Sequence, residues 1–215
     1  MSGGRLVSAA REEVLARVRS ALRDGAVPPE VPRDHRVAGE LPRDAVLALF
    51  VERLEETGAT VIRAADGPAA VDDALAAQGA TRIAVASDLH FRPARDEVVV
   101  DHGLSAEALD GLDGAVTTCA AACAETGTIA FDGGLGQARR ALTLVPDLHV
   151  CLVGAEQVVQ TVPELFARLE PAAHEGRAIV LVSGPSATSD IEFERVEGVH
   201  GPRRLVVVLT AFRPI

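Results

Sequence analysis

The sequence predicts an α/β domain built on an open, mostly parallel sheet with helices on both faces. Three observations predict it. Short apolar strands alternate with helical patterns along most of the 215 residues, the order that builds a parallel sheet under helices. Two runs, AIVLV and LVVVL, are apolar without polar alternation, as strands covered on both faces are. The chain is 48% apolar yet has no Trp or Tyr and only six Phe, so its core must be Val, Leu, Ile and Ala.

Taken in order, residues 8–24 read as a helix, with Val14, Leu15, Val18 and Leu22 at helical spacing among charges. GAVPPEVPRDHRVAGELPRD follows, and its four prolines make it an irregular connector. Residues 1–43 are therefore an N-terminal helix and connector, and residues 44–215 the α/β domain. Asp44 is placed to cap a helix whose apolar face is Leu47, Phe50, Val51 and Leu54, ending at Gly58. ATVIRA is a strand, residues 68–78 a helix, and TRIAVAS a strand ending at Ser87 and Asp88. DEVVVDHG is a short strand, residues 106–109 a short helix, and GAVTTC, TIAFD and HVCLVGAEQVV are further strands. Thr161 and Glu164 form a capping box that opens a helix through Leu169. AIVLVSG and RLVVVL are the last strands. A sheet of this kind is expected to place its ligand at the carboxyl ends of its strands.

Composition excludes several functions. Every basic residue is Arg, which removes Schiff-base lysine chemistry and the lysine of a phosphate loop. The net charge of −10 opposes nucleic-acid binding. Residues 1–43 carry eight Arg and six acids, leaving −12 for the rest. No apolar run approaches the roughly 20 residues that span a bilayer, and the N-terminal residues lack an apolar signal core, so cytoplasmic residence is expected. Cys119, Cys123 and Cys151 contain no C-x-x-C pair and make neither a disulfide framework nor a ferredoxin-type cluster. Cys119 and Cys123, four apart, would share a helix face. Two thiols rarely fill a zinc site, so all three are read as small buried residues. No pattern calls for a cofactor or metal of the chain's own.

Three segments could carry chemistry. SGPSATSDIE places glycine, proline and four hydroxyls after an apolar strand, fit either for an anion or carboxylate site or for a turn feeding a capped helix. His200 lies in GVHGPR, before the last strand. Ser186, Asp190 and His200 invite comparison with a hydrolase triad, and Asp190, His200 and Glu125 with a metal site. Glu125 stands between small residues, Ala120, Ala121, Ala122 and Ala124, and the strand opened by Thr128. It reads either as a nucleophile, base or amide-binding carboxylate, or as a helix-terminal glutamate satisfied by local amides.

The segments AETGTIAFDGG, LVPDLHVCLVGAEQVV, SGPSATSDIE and GVHGPRRLVVVL occur in that order. Together they resemble the lactate-utilization (LUD) domain family, over about residues 44–212 and most specifically over residues 124–209. The resemblance implies a fold similar to that of sugar isomerases and CoA transferases. It also implies a place in a three-protein system that oxidises L-lactate to pyruvate, with iron–sulfur and cysteine-rich subunits supplying the redox centres. This chain would then be a subunit without a redox cofactor, meeting those partners and a small carboxylate such as lactate. By motif position, Glu125, Gly127 and Thr128 fall in the family's E-T-G-T element. Pro146 and His149 fall in the next one, and Ser186, Thr188, Asp190, His200 and Gly201 in the last two. The expected site has Glu125, Asp190 and His200 as catalytic groups. Gly127, Thr128, Gly184, Ser186, Thr188 and Gly201 would bind substrate, all in one cleft. Two other functions stay open: a free-standing acyl or CoA transferase with a covalent acyl intermediate on Glu125, and a scaffold or regulatory protein whose residues 1–24 are the contact helix.

Overall fold

A computed structural model describes residues 3–23, 25, 29–188, 196–198 and 200–211. It divides into two compact units, Met1–His35 and Arg36–Ile215. The first is built on α1 (Gly3–Ala21), which carries an Arg17–Glu13 pair one turn apart. In chain order the second unit runs α2 (Arg43–Glu56), β1 (Thr60–Ala64), α3 (Gly67–Ala77), β2 (Arg82–Val85), β3 (Glu97–Val100) and α4 (Ala106–Asp110). It continues with β4 (Gly114–Thr118), β5 (Ala121–Cys123), β6 (Thr128–Phe131), α5 (Arg140–Leu144), β7 (Leu148–Gly154) and β8 (Val158–Val159). It ends with α6 (Val162–His174), β9 (Val180–Val182), β10 (Ala187–Thr188), β11 (Val196–Glu197) and β12 (Arg204–Thr210).

Among the described residues six strands form one sheet in the order β1-β12-β7-β4-β2-β3. Every adjacent pair is parallel, as the sequence predicts. β7 and β12 lie side by side within it and pair from Arg204↔Leu148 to Thr210↔Gly154. Successive side chains of a strand point to opposite faces. Val206 and Val208, with Leu148, Val150 and Leu152, pack against Val71, Ala74 and Leu75 of α3. Leu205, Val207 and Leu209, with Cys151 and Val153, pack against Phe50 and Leu54 of α2 and Ile129 and Phe131 of β6. Both strands are apolar because both faces are covered, and each buried Val or Leu contributes about 1.5–3 kcal/mol.

A second sheet, β8-β5-β6-β9, covers part of the first. β5 pairs parallel with β8 and antiparallel with β6, and β6 pairs antiparallel with β9. β5 reads Ala-Ala-Cys because it lies between two layers. Ala122 faces the core shared with Phe50 and Ile129, whereas Ala121 and Cys123 face Leu165 and Leu169 of α6. Side chains this small keep the layers close. The alanine run has high intrinsic helix propensity, and burial on two faces overrides it.

Cys119 and Cys123 therefore do not share a helix face. Cys119 sits between β4 and β5, and Cys123 is in β5. All three cysteines are free and buried, as small core residues are expected to be. Hydrogen bonding with Cys151, reinforced by burial, pushes the Cys119 thiol up, which keeps it protonated.

Three other details differ from expectation. AIVLV contributes only a three-residue strand, β9, at the edge of the second sheet, where Leu181 is 46% exposed. A strand paired on one side with no second layer above it lacks the double cover of β12. Asp44 lies inside the first turn of α2, whose cap position is Pro42 and makes no side-chain cap bond. α6 continues past Leu169 to His174, through Pro171. Its start is as expected: the Glu164 N–H donates to Thr161 Oγ1 (3.3 Å), and the Glu164 carboxylate accepts from the Thr161 N–H (2.8 Å). Thr161→Ala is expected to lower unfolding stability by about 1–2 kcal/mol, and Thr161→Ser by less. Urea titration measures this, and an unchanged midpoint for Thr161→Ala would contradict the cap.

Candidate functional site

The amino ends of β7 and β12 border a cavity of about 250 Å³. His149 and Leu205 line it from these strands, Thr143 and Leu144 from α5, residues 183–186 from the segment after β9, and residues 200–202 from the segment before β12. The sequence expectation put the ligand at the carboxyl ends of the parallel strands. The serine- and glycine-bearing segments lie instead at amino ends, because β9 belongs to the second sheet. From there the chain passes through the β10–β11 ribbon and enters β12 at its beginning.

His149 is the one imidazole in the all-buried strand β7, 1% exposed. Its Nε2 lies 2.8 Å from Thr117 Oγ1, and its ring is tilted against Phe131 with centroids 5.4 Å apart. Burial pushes its pKa down to about 4, so the ring is neutral near neutral pH. A neutral imidazole both donates and accepts hydrogen bonds, which suits it to a polar ligand or a proton transfer.

The segment after β9 is fastened at several points. Ser183 Oγ lies 2.6 Å from Thr128 Oγ1, which in turn lies 2.7 Å from Thr126 Oγ1. A line of hydroxyls thus joins the E-T-G-T turn to the cavity wall. The Ser186 N–H donates to the Pro202 carbonyl and the Gly198 N–H to the Ser186 carbonyl, both at 2.8 Å. Ser186 Oγ accepts from the backbone N–H of His200 (3.0 Å). That contact uses the backbone of His200, so it does not assemble a triad with the imidazole. Asp190 lies outside the described residues. Thr188 is in β10, opposite Val196.

The two substrate-binding candidates Gly127 and Gly184 have a packing reason to be glycine. Both have positive φ, 57° and 104°. A Cβ on Gly184 would stand 2.3 Å from Thr57 Oγ1, and one on Gly127 would stand 3.0 Å from the Arg53 backbone. Each glycine lets its loop press on the end of α2. Gly201 is different: a Cβ there would make only ordinary contact, 3.6 Å from Ser186, so its missing side chain leaves cavity volume open.

Glu125 faces elsewhere. Its N–H donates to the Gln160 carbonyl, and its carboxylate accepts from Arg36 (2.5 Å) and Gln160 Nε2 (3.1 Å). The carboxylate in turn holds the Arg36 guanidinium above its ordinary pKa, through the hydrogen bond first and the charge second. The structure therefore brings Gly184, Ser186, His200 and Gly201 to one cavity, reaches Thr128 through Ser183, and leaves Glu125 on the connector side. Among the described residues, no group of three His, Cys, Asp or Glu side chains is arranged to hold a metal ion. No helix among them is long and apolar enough to cross a membrane.

The LUD domain family model matches residues 7–210 of this sequence. The chain belongs to the LUD domain family. It is 40% identical to lactate utilization protein C of Deinococcus radiodurans, over 93% of this chain and 95% of that protein. It is 38% identical to lactate utilization protein C of Bacillus pumilus, over 40% of this chain and 37% of that one. A crystal structure of a DUF162 family protein from Deinococcus radiodurans matches with a TM-score of 0.64 and 35% identity, over 80% of this chain and 99% of that one. The family match takes in α1 from residue 7 and the connector as well as the α/β domain. In this LUD domain, residue chemistry alone did not single out His149. The available signal was one imidazole inside an otherwise apolar strand, HVCLVG.

His149 makes stability pH-dependent in a defined window. Its pKa is near 6.5 when unfolded and about 4 when folded, so between those values the unfolded chain binds a proton that the folded chain does not. Its contribution is full above about pH 6.5, falls as pH drops toward about 4, and amounts to roughly 3 kcal/mol. Urea unfolding at a series of pH values between these limits measures it. His149→Gln is expected to flatten that part of the profile, and an unaltered profile would contradict the assignment.

Proposed function

We propose that this chain works in lactate utilization and binds a small 2-hydroxy or 2-oxo carboxylate in the cavity of His149, Ser186 and His200. The observation that supports this most is the cavity's chemistry: a neutral buried imidazole, a second imidazole residue and two serines around a space sized for a small molecule. Backbone N–H groups and hydroxyls are suited to a carboxylate. With His149 Nε2 engaged by Thr117, Nδ1 is the nitrogen offered to the ligand's hydroxyl or keto oxygen. The names of the Deinococcus and Bacillus relatives agree with this ligand class.

Oxidation of lactate to pyruvate removes two electrons and two protons. Imidazoles and hydroxyls move protons and not electrons, so in this reading iron–sulfur and cysteine-rich partner subunits accept the electrons. The chain itself binds and orients the carboxylate in a soluble, cytoplasmic complex. Asp190 is reserved as a further catalytic candidate. Thr128, Gly127, Gly184, Thr188 and Gly201 shape the site, and Glu125 positions the connector through Arg36.

Isothermal titration with L-lactate and with pyruvate tests the site. Saturable binding is expected for the wild type, weakened about tenfold or more by Ser186→Ala or His200→Ala, as loss of a charge-assisted hydrogen bond implies. A strain lacking the gene is expected to grow poorly on L-lactate, with growth restored by the wild type and not by the double variant. Unchanged binding in both variants would remove the cavity from the function. Normal growth of the deletion strain would remove the lactate reading.

A further inference from the structure

We propose that a second cavity, lined by Arg139, Arg140 and Arg177 beside the end of β6, binds a phosphate-bearing small molecule. The cavity measures about 410 Å³ and is distinct from the one around His149, although Thr143 and Val180 form walls of both. Its charged lining residues are three arginines and one acid, Asp132, and two further acids, Asp101 and Glu175, pair with two of the arginines. Guanidinium groups fit phosphate oxygens bidentately.

The three arginines are not equivalent. Arg139 is committed to Asp101, with Nε 2.8 Å from Oδ2 and Nη2 3.1 Å from Oδ1, and it also donates to the Leu104 carbonyl. Asp101 is fully buried at its side chain and accepts from the N–H groups of Gly103 and Leu104 as well. Burial disfavours its charge, but Arg139 and these N–H donors outweigh it and hold its carboxyl below the usual range. Arg177 is shared between Asp132 and Glu175, each at 2.9 Å. Arg140 has no ion pair and no side-chain hydrogen bond among the described residues.

The loop that delivers these side chains is itself constrained. The Gln137 amide clamps Asp132 from both sides, accepting from its N–H (2.8 Å) and donating to its Oδ1 (2.9 Å). Ala138 has φ 56°, the left-handed value that a residue with a Cβ rarely adopts, and it is the one such non-glycine among the described residues. Two acid-paired arginines therefore frame one uncommitted guanidinium. A phosphate monoester presents three strong acceptor oxygens, which three neighbouring guanidinium groups can share. The space is also larger than the neighbouring cavity assigned to a small carboxylate.

Isothermal titration with inorganic phosphate and with pyrophosphate, at ionic strength held constant with chloride, tests the site. Saturable binding with one site per chain is expected. Arg140→Ala and Arg140→Gln are each expected to weaken it about tenfold or more, because a charge-assisted pair is lost. Tighter binding of pyrophosphate than phosphate would assign a diphosphate-bearing ligand, and the reverse order a monoester. Absence of saturable binding, or equal affinity in wild type and both variants, would overturn the proposal. L-Lactate titrated into Arg140→Gln is expected to bind as in the wild type, and phosphate into Ser186→Ala likewise. The phosphate site and the carboxylate reading thus stand or fall separately.

Discussion

The register between β7 and β12 constrains the rest of the molecule. Seven residues pair on each strand, and all of them but Arg204 are buried, by α3 on one face and by α2 and the second sheet on the other. Polar groups inside such a layer carry a desolvation cost unless they are paired, which confines chemistry to the rims. His149 sits one residue in from the rim. It is tolerated there because it is uncharged and Thr117 satisfies Nε2. The same register brings residues 200–202, which lead into β12, beside the residues that lead into β7. The cavity is thus a consequence of strand pairing before it is a matter of any loop.

The thin middle strand β5 is a second constraint. Its alanines and cysteine admit α6 on one side and the α2 core on the other. The turn that follows holds Glu125 against the connector and Thr128 against Ser183. Among the described residues, 36–43 are tied at five places: Arg36 to Glu125, the Val37 carbonyl to Thr161 Oγ1, the Gly39 N–H to Glu164, the Leu41 N–H to Gln160 Oε1, and Arg43 to the Val158 carbonyl. Gly39 has to be glycine, since a Cβ would stand 2.1 Å from Gln160 Oε1. Glu164 serves both the α6 cap and this strap. Burial disfavours its charge, and N–H donors from Thr161, Gly39 and Gln160 outweigh it and hold its carboxyl below the usual range. Glu125, read from sequence as a candidate nucleophile, thus lies in a network that fixes residues 36–43 beside the second sheet.

Charge follows the same logic. Most arginines of the second unit sit beside acids or carbonyls, and the pairs formed at the surface contribute little each. Arg139 with Asp101 differs, because one partner is buried and hydrogen-bonded from three directions. Breaking such a pair costs more than a surface pair does, since it strands a buried charge. Its rigidity defines the edge of the arginine-lined cavity.

Local periodicity made most elements legible. RLVVVL, HVCLVG and GAVTT read as strands, and the Thr161–Glu164 box marks the start of α6. The wrong readings that bear on the site were long-range. Ala121, Ala122 and Cys123 form a strand because two layers close on them, which no helix-propensity scale records. AIVLV looks like β12 in composition, yet β9 is an edge strand of the other sheet. Serines, glycines and His200 were visible as candidates. Their meeting at amino ends, and the absence of Glu125 from that meeting, were not. By itself the sequence determined the elements, because hydrogen bonding and side-chain period act over a few residues. Which sheet each strand joined, and so which polar groups share a cavity, was decided only in the tertiary structure, because pairing partners are chosen by burial between residues far apart in the chain.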